Sequence, residues 1–336
     1  MPTIYDVAKT SGYSITTVSK VLNNYPNVSN KAKQKVKMAV EELGYIPDTS
    51  ARTLASKKSN MIGVVFSEAL DTGLAHPFFS EVIEAFKKHV ELYSYDLLFV
   101  SRNIGPNQNY HDHLKHHGVD GVVVINSRSD DGEIKTFNES DLPAVFIDIH
   151  IENANVVYSD NPLGCDLAVD YLHSLGHRKI ANIAGASESF TGAERIRGFK
   201  KAIQKYGLSI PKDYIVDGGY FSYESGRTAM LKLLALPDRP TAVFVAGDEM
   251  AIGAIKVAKE MGVRIPEDIS IIGFDDISLA KHIEPPLTTI RQDKDRIGRQ
   301  AATLLLNEIN GLSNEQHASI IPVRIEKRNS CCSLKR

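Results

Sequence analysis

Short α-helices are predicted at the start of the chain, because apolar residues recur there with helical spacing. The three stripes are Ile4, Val7, Ala8 and Ser11, then Val18, Val21 and Leu22, then Ala32, Val36, Ala39, Val40 and Leu43. Gly12 permits the positive φ of a tight turn between the first two helices, and Ser14 and Ser29 are suitable N-caps for the second and third. Gly44 is a suitable end for the third helix. Two short helices joined by a tight turn, with a third to complete a core, form a helix-turn-helix unit.

The second helix presents a polar face with no partner within the unit. When its apolar stripe faces inward, Ile15, Thr16 and Lys20 point outward. Thr16 can hydrogen-bond to a base edge or a phosphate, Ile15 can contact a thymine methyl group, and Lys20 can reach the acceptors of guanine. Amides at the start of the helix, near Ser14, can contact phosphate oxygens. The alternative is an ordinary solvated helix face, and the pattern alone leaves both interpretations open.

Residues 47–60 follow as a linker with the sequence PDTSARTLASKKSN. Its apolar stripe is only Ala51, Leu54 and Ala55, and helices of fewer than about 12 residues are marginal in isolation. Leu54 is flanked by cationic residues, and an apolar side chain in that setting is suited to separating a base step in the minor groove. The alternative is a flexible tether that carries one leucine of no special role.

From Met61 onward, apolar runs of strand length alternate with helical stretches. One series comprises MIGVVF, YDLLFV, VDGVVVI and PAVFID, and a second comprises KIANIA, YIVDGG, TAVFVA and ISIIGF. Continuous apolar strands interleaved with helices are typical of parallel sheets that are covered on both faces. We therefore predict an α/β fold with a two-lobed body of parallel, doubly wound sheets, preceded by the small all-α helix-turn-helix domain.

Ligands of such sheets bind in a crevice at the carboxyl ends of the strands, so polar residues just after strands are candidates for ligand contact. Asp148, Asp248 and Asp275 follow predicted strands, and Arg195 lies at the start of a predicted helix. Asp and Arg side chains around one cleft can bracket vicinal hydroxyl groups, because carboxylates accept hydrogen bonds and guanidinium groups donate them. Asp248 can instead be a helix N-cap.

Two phenylalanines are candidates for the apolar part of the same site. Phe79 and Phe221 can offer flat faces to a sugar ring. The alternative is that both rings are core residues, as aromatic side chains on helices usually are.

The charge distribution separates the N-terminal part from the body. The formal net charge of the 336 residues is −2, but residues 1–58 carry nine Lys or Arg and four Asp or Glu. The N-terminal part therefore has a net charge of +5 and the remainder −7. A cationic start on an anionic body indicates that only the start meets a polyanion.

Composition and missing signatures exclude several classes of protein. The apolar fraction of 43% and charged fraction of 24% are ordinary for a globular protein, and the length predicts more than one domain. No apolar run approaches the ~20 residues needed to cross a bilayer, and no secretory signal begins the chain, so a cytoplasmic location is expected. The three cysteines have the spacing of neither a disulfide framework nor a metal site.

Enzyme and metal signatures are also missing. No nucleophile elbow, P-loop or dinucleotide-binding motif occurs, so hydrolase, NTPase and dehydrogenase activities have no support. His113 and His117 have the i, i+4 spacing of a zinc pair, but no Glu lies between them, which favours a solvated helix. We expect no enzymatic activity, no catalytic residue, no metal and no cofactor.

The motifs and their order resemble the lactose-repressor family of bacterial transcription regulators. The resemblance begins with YDVAKTSGYSITTVSKVLN and EELGYIPDTSARTLAS, continues through RIRGF, DEMAIGAI, IPEDISIIGFDD and PPLTTIRQD, and covers nearly the whole chain. It implies a body similar to periplasmic sugar-binding proteins. It also implies that the second helix enters the major groove and that paired hinge helices insert leucines into the minor groove.

The resemblance implies two sets of site residues. The DNA-contacting residues are Thr3, Tyr5, Ser14, Ile15, Thr16, Thr17, Lys20, Asn23, Leu54 and Lys57, with Leu54 as the minor-groove wedge. The effector-contacting residues are Phe79, Asp148, Thr191, Arg195, Phe221, Asp275 and Gln292, to which the strand-end position adds Asp248. Relatives often have Arg at position 20, Asn at the position of Gly247 and Arg at that of Ile149. These differences mean that neither a relative's operator nor its ligand can be assumed for this chain.

The resemblance also implies a domain organisation. Residues 1–46 form the DNA-binding domain, 47–59 the hinge, and 60–330 the effector-binding and dimerisation domain. Crossings of the chain near residues 160, 290 and 320 divide the last of these into an N-lobe of about 60–160 plus 291–321 and a C-lobe of about 161–290 plus 322–330.

We therefore predict a homodimeric repressor of sugar-utilisation genes that binds a pseudo-palindromic operator in double-stranded DNA. A small sugar or sugar derivative controls it allosterically. The C-terminal EKRNSCCSLKR has no heptad leucines, which favours a dimer over a tetramer. Two alternatives remain: a catabolite-control-type global regulator with a phosphorylated carrier protein as co-repressor, and a purine-responsive repressor. A transport-type binding protein is disfavoured by the helix-turn-helix start.

Overall fold

The computed structural model describes residues 2–22, 25, 27–45, 58–66, 73–100, 109–125, 131–312 and 317–334. The chain divides into two units, Met1–Asn60, which we call the head, and Met61–Arg336, which we call the body. No helix in the described part of the chain is long and apolar enough to span a bilayer.

The head contains three helices: α1 (Ile4–Ser11), α2 (Ile15–Leu22) and α3 (Asn30–Leu43). Its buried core comprises Val7, Val18, Val21, Val36 and Ala39, one or two residues from each predicted stripe. Leu22, Val40 and Leu43 are partly buried against this core. The predicted stripes are therefore confirmed, and the outward position of the polar face of α2 follows from them.

Local hydrogen bonds fix the ends of these helices. Asp6 accepts a hydrogen bond from the backbone N–H of Thr3 at 2.8 Å, and this bond lowers the pKa of the Asp6 carboxyl. Ser14 Oγ accepts from the N–H of Thr17 at 3.2 Å, and Ser29 Oγ accepts from the N–H of Ala32 at 3.3 Å. The turn glycines have positive φ, 74° at Gly12 and 58° at Gly44. The predicted caps and turn are confirmed.

The body alternates strands and helices along the chain. Its strands are β1 (Met61–Phe66), β2 (Asp96–Phe99), β3 (Gly121–Ile125), β4 (Ala144–Ile147), β5 (Asn155–Ser159), β6 (Ile180–Ala184), β7 (Ile215–Asp217), β8 (Ala242–Val245), β9 (Ser270–Asp275), β10 (Thr288–Arg291), β11 (Ala318–Ile321) and β12 (Arg324–Glu326). Its helices are α4 (Pro77–Glu91), α5 (Tyr110–His116), α6 (Gly132–Asn138), α7 (Asn161–Ser174), α8 (Phe190–Lys205), α9 (Tyr223–Leu234), α10 (Asp248–Glu260) and α11 (Lys294–Ile309). Short 3-10 turns occur at Lys212–Tyr214 and Ser278–Lys281.

The strands form two six-stranded sheets. The first has the order β11-β5-β4-β3-β1-β2, and all of its adjacent pairs are parallel. The second has the order β12-β10-β9-β8-β6-β7 and is parallel except for β12, which runs antiparallel to β10 at the edge. The two-lobed α/β fold with a small helical head is therefore confirmed, with one antiparallel edge strand that was not predicted.

The chain passes between the sheets three times, after β5, after β10 and after β11. We call the first sheet with α4, α5, α6 and α11 the N-lobe, and the second sheet with α7, α8, α9 and α10 the C-lobe. The strands β1, β3 and β4 are central and parallel in the first sheet, and β6, β8 and β9 are central and parallel in the second. The carboxyl ends of these strands therefore lie along one edge of each sheet.

Candidate functional site

The outward face of the head carries most of the residues predicted to contact DNA. Ile15, Thr16 and Lys20 are exposed on α2, Ser14 is exposed just before it, and Thr3 and Tyr5 are exposed at the start of α1. Thr17 is half-buried, and its hydroxyl lies 3.0 Å from that of Ser14. Three further predicted residues, Asn23, Leu54 and Lys57, lie outside the described residues.

This face suits contact with a nucleic acid. Ile15 is an exposed apolar residue, 39% accessible, and is followed by Thr16, which lies one helical turn before Lys20. A methyl-contacting group, a hydrogen-bonding group and a cation along one short helix correspond to the chemistry of a major-groove edge.

In the body, one cavity lies at the carboxyl ends of the strands. Its lining comprises His76, Phe78, Phe79, Asp148, Thr191, Arg195, Phe221 and Asp275. The first four come from the start of α4 and the end of β4 in the N-lobe. The other four come from α8, the segment before α9 and the end of β9 in the C-lobe. The cavity has about 310 Å³ of space between the atoms, part of it open to solvent, and its inner room fits only about one water molecule.

Six of the eight predicted effector residues line this cavity: Phe79, Asp148, Thr191, Arg195, Phe221 and Asp275. Gln292 lies next to it, buried, and donates from Nε2 to Asp275 Oδ1 at 2.6 Å. The role of these residues in ligand binding stays a prediction. His76 and Phe78 were not predicted. Their positions offer one local signal, because His76 directly precedes the first helix after β1 and Phe78 is its second residue.

Asp248 occupies a different place from the one predicted. Its carboxylate accepts from the Thr289 hydroxyl at 2.6 Å and from the N–H of Ile277 at 2.9 Å, and it does not line the cavity. It is the first residue of α10, whose N-cap is Gly247. Because both carboxylate oxygens are used by the protein itself, its geometry favours a structural role.

Arg195 is the most highly connected group of the cavity. Its Nε donates to Asn161 Oδ1 at 2.8 Å, and its Nη1 donates to the backbone carbonyl of Ala246 at 2.5 Å. The same Nη1 lies 3.6 Å from Asp275 Oδ1, and the guanidinium carbon lies 3.8 Å from the centre of the Phe274 ring. A buried cation is retained only where such partners compensate for lost hydration, so Arg195 is held in one position.

Asp148 has the opposite environment. It is buried, and its Oδ1 has no hydrogen-bond partner among the described residues. Burial raises the pKa of its carboxyl to about 7; nearby Arg195 opposes the rise and nearby Asp275 adds to it. His76 Nδ1 and Gln292 Oε1 are also buried and without a partner among the described residues. Such groups carry a desolvation cost that a ligand able to hydrogen-bond to them offsets.

Three residues of the cavity have backbone conformations that L-amino acids rarely adopt. Their φ angles are 56° at Asp148, 59° at Phe221 and 116° at Asp275. Seven described non-glycine residues have positive φ, and three of them are in this small cavity. Backbone strain of this kind, maintained by the surrounding fold, is concentrated at ligand sites.

The two lobes also contact each other at two places. On one side, His76 Nε2 of the N-lobe lies 4.0 Å from Glu249 Oε2 of the C-lobe, and partial burial raises the pKa of the Glu249 carboxyl. On the other, the ring of His150 in the N-lobe stacks on that of Phe190 in the C-lobe, with centres 5.8 Å apart and planes 19° apart. A ligand larger than a water molecule therefore requires the walls to move.

The described residues contain no group of three or more His, Cys, Asp or Glu side chains that could hold a metal ion. The rings of His113 and His117, the pair with i, i+4 spacing in the sequence, have centres 4.6 Å apart.

Family models match both parts of the chain. The model described as "Bacterial regulatory proteins, lacI family" matches residues 3–48, and one described as "Periplasmic binding protein-like domain" matches residues 169–331.

Full-length relatives and solved structures match as well. The HTH-type transcriptional repressor PurR of Erwinia tasmaniensis is 38% identical over 336 residues, which cover 98% of this chain and 97% of the relative. The crystal structure of the Lac repressor dimer bound to operator and the anti-inducer ONPF has a TM-score of 0.84 at 30% identity and 99% coverage of both chains. The complex of the transcriptional regulator CelR with cellobiose has a TM-score of 0.74 at 30% identity, covering 98% of this chain and 100% of that one. The chain belongs to the lacI family of bacterial regulatory proteins and is a DNA-binding transcriptional repressor, not an enzyme.

Proposed function

We propose that a small polyhydroxylated ligand, a sugar or sugar derivative, binds in the cavity and controls operator binding by the head. The observation that carries this proposal is the set of buried acceptors without partners, Asp148 Oδ1 and Gln292 Oε1. A ligand that donates several hydrogen bonds from hydroxyl groups satisfies them.

The rest of the cavity supports the same ligand class. Thr191 and Asp275 add polar groups on the C-lobe wall. Arg195, in contrast, donates hydrogen bonds from Nε and Nη1 to groups of the protein itself. Phe79 and Phe221 supply flat apolar faces of the kind that pack against a sugar ring. The CelR–cellobiose complex is an example of a similar fold with a sugar bound.

The proposed coupling is a shift between two conformations of the body. A ligand changes operator affinity only if it binds one conformation better than the other. The proposed domains are the DNA-binding residues 1–46, the hinge 47–59 and the effector-binding residues 60–330, acting as a homodimer on a pseudo-palindromic operator. Leu54 is the proposed minor-groove wedge of the hinge.

Isothermal titration calorimetry with D-ribose, D-glucose and cellobiose tests the ligand class. We expect at least one sugar to bind wild type and not to bind Arg195→Ala, with Arg197→Ala, an exposed arginine of the same helix, as the matched control. The proposal fails if none of the sugars binds while a phosphorylated carrier protein or a purine does.

A purine effector, one of the alternatives that the sequence left open, is the second candidate, because the 38% identical relative is the HTH-type transcriptional repressor PurR. Guanine and hypoxanthine therefore belong in the same titration. Purine bases present ring-nitrogen and carbonyl acceptors that sugars lack, so we expect a purine to depend on the Thr191 hydroxyl more than on Asp148.

The proposed DNA contacts are tested with Lys20→Ala. Selection of operator variants should show relaxed preference at one base pair per half-site, with a cost of about 1–3 kcal/mol for the preferred base. Lys35→Ala, an exposed lysine on α3, is the control and should leave the preference unchanged. An unaltered preference in Lys20→Ala excludes base reading by this residue.

A further inference from the structure

The ammonium group of Lys294 joins the two lobes at a further place, the second crossing of the chain. Lys294 is the first residue of α11, and only 11% of its side chain is accessible. Its Nζ donates to the backbone carbonyl of Asp276 at 2.6 Å and to that of Asp275 at 3.3 Å, where β9 ends in the C-lobe. The same Nζ lies 3.1 Å from Glu81 Oε2 on α4 of the N-lobe. An ammonium group has three N–H donors, and this one meets three acceptors.

The strand end that Lys294 contacts has a strained backbone, with φ angles of 116° at Asp275 and 51° at Asp276. Conformations of this kind persist only where surrounding contacts maintain them. The side chain of Asp275 accepts from Gln292 Nε2 at 2.6 Å. The side chain of Asp276 accepts from Arg328 Nη2 at 2.5 Å. Lys294 adds support to the backbone itself, because it donates to the carbonyl oxygens of both residues.

The N-lobe end of this link belongs to a closely packed pair of helices. A Cβ atom added to Gly298 of α11 would lie 2.5 Å from the carbonyl oxygen of Val82 on α4. The two helices are therefore in backbone contact one turn after Lys294 and one residue after Glu81. Near its start, α4 also carries Phe79, which lines the cavity. Because closely packed interiors transmit displacements, the link through Glu81 acts on the helix that positions this ring.

We infer that Lys294 is a positioning residue that couples the two walls of the cavity, an inference whose consequence for ligand binding rests on the proposed function. On the C-lobe wall it fixes the backbone of Asp275, and on the N-lobe wall it holds α4 through Glu81. Lys294 itself does not line the cavity. It therefore acts through the residues that it positions, and loss of its ammonium group should loosen both walls at once.

Amide hydrogen exchange of the ligand-free protein tests the coupling directly. On the C-lobe side, the reporter is Ile277 N–H just after β9, which donates to Asp248 Oδ2 at 2.9 Å. On the N-lobe side, the reporter is Ser80 N–H at the start of α4, which donates to the carbonyl of His76 at 3.1 Å. Lys294→Met should accelerate exchange at both amides by about tenfold or more, because both segments lose a contact that holds them in place.

Two further variants supply a control and define the route. Lys205→Met removes an exposed lysine that lies 2.7 Å from Asp166 within the C-lobe, and it should change both exchange rates by less than about twofold. Glu81→Gln removes only the N-lobe end of the link, so exchange should rise at the α4 amide and not at the amide after β9.

The exchange rates decide the inference in each case. Acceleration at only one amide or at neither in Lys294→Met overturns it, and so does an equal acceleration throughout the body, which indicates a merely structural role. If Lys294→Met does not fold, Glu81→Gln decides alone: faster exchange at the α4 amide supports the coupling, and an unchanged rate overturns it.

Calorimetry with D-ribose, cellobiose, guanine and hypoxanthine relates the coupling to ligand binding. For each probe that wild type binds, Lys294→Met should weaken binding by about tenfold or more and Glu81→Gln by a smaller factor, whereas Lys205→Met should leave it unchanged. Binding that ignores Lys294 overturns the positioning role. If wild type binds none of the probes, the proposed function fails, whereas the exchange rates still decide whether Lys294 couples the two walls.

Discussion

The two walls of the cavity differ in how their polar groups are compensated. On the C-lobe wall, Arg195 and Asp275 contact each other, and Asn161 and Gln292 complete their hydrogen bonds. On the N-lobe wall, Asp148 Oδ1 and His76 Nδ1 are buried without partners among the described residues. The charged groups Arg195 and Asp275 of the C-lobe wall are thus paired before any ligand arrives, whereas the buried Asp148 Oδ1 of the N-lobe wall gains a hydrogen bond only from a ligand.

This difference has a consequence for stability. Substitutions on the preassembled wall break existing interactions and should destabilise the protein. Substitutions on the uncompensated wall remove an unfavourable burial and should stabilise the unliganded protein while weakening ligand binding.

The largest effect is expected for Arg195→Ala. It leaves Asp275 buried without its cation and removes the donors to Asn161 and Ala246, so the free energy of unfolding should fall by about 3–5 kcal/mol. Urea denaturation measures this. Arg197→Ala, at the exposed neighbour paired with Glu194, should change the free energy of unfolding by less than about 1 kcal/mol. Equal losses in the two variants would remove the distinction between the walls.

The next effect is the pH dependence of Asp148→Asn. The pKa of Asp148 is about 7 in the folded protein and about 3.9 in the unfolded chain. As the pH rises from about 4, the unfolded state loses this proton first, so the group lowers the free energy of unfolding progressively up to pH about 7 and constantly above it. An asparagine does not titrate, so Asp148→Asn removes this pH-dependent decrease in the free energy of unfolding.

Relative to wild type, Asp148→Asn should therefore gain about 2–3 kcal/mol in free energy of unfolding between pH 5 and pH 8. Denaturant titrations at the two pH values measure the gain. The exposed Asp213→Asn is the control and should show the same difference from wild type at both. A constant difference for Asp148→Asn as well would mean that this wall is compensated.

The smallest effect is expected where the walls touch. His150→Ala removes the stack on Phe190 and should weaken ligand binding by about 0.5–1 kcal/mol, because the stack joins the two lobes that supply the cavity walls. Calorimetry with the ligand identified for wild type measures this loss of affinity. His116→Ala, exposed on α5, should have no effect. Tighter binding by His150→Ala would show that the stack opposes the liganded conformation.

The sequence predicted local features well because their causes are local. Helical spacing, Gly12 and the serine caps determine the head, and the strands β1 to β4 and β6 to β9 were found for the same reason. The short strands β5, β10, β11 and β12 were missed as elements, because three to five residues at a sheet edge or next to a crossing carry no distinct period.

The cavity was predictable only in part. Residues such as Asp148 and Asp275 were found because polar residues at strand ends meet along one edge of a sheet. Asp248 was predicted to face the cavity, and it does not, for a physical reason. Its carboxylate accepts hydrogen bonds from Thr289 and Ile277, which come from later parts of the chain, so this tertiary contact could not be found from local sequence. Unpartnered acceptors and positive φ values depend likewise on packing between distant segments.

Operator affinity measured by fluorescence anisotropy, with and without each sugar and purine, tests most directly whether the cavity controls the head. For the ligand that binds, we predict a change of about 5- to 150-fold in the dissociation constant of the wild-type protein for its operator, in line with usual coupling energies. The same ligand should leave the operator affinity of Asp148→Asn unchanged. Operator binding that is indifferent to every bound ligand, or that responds equally in Asp148→Asn, would contradict the account.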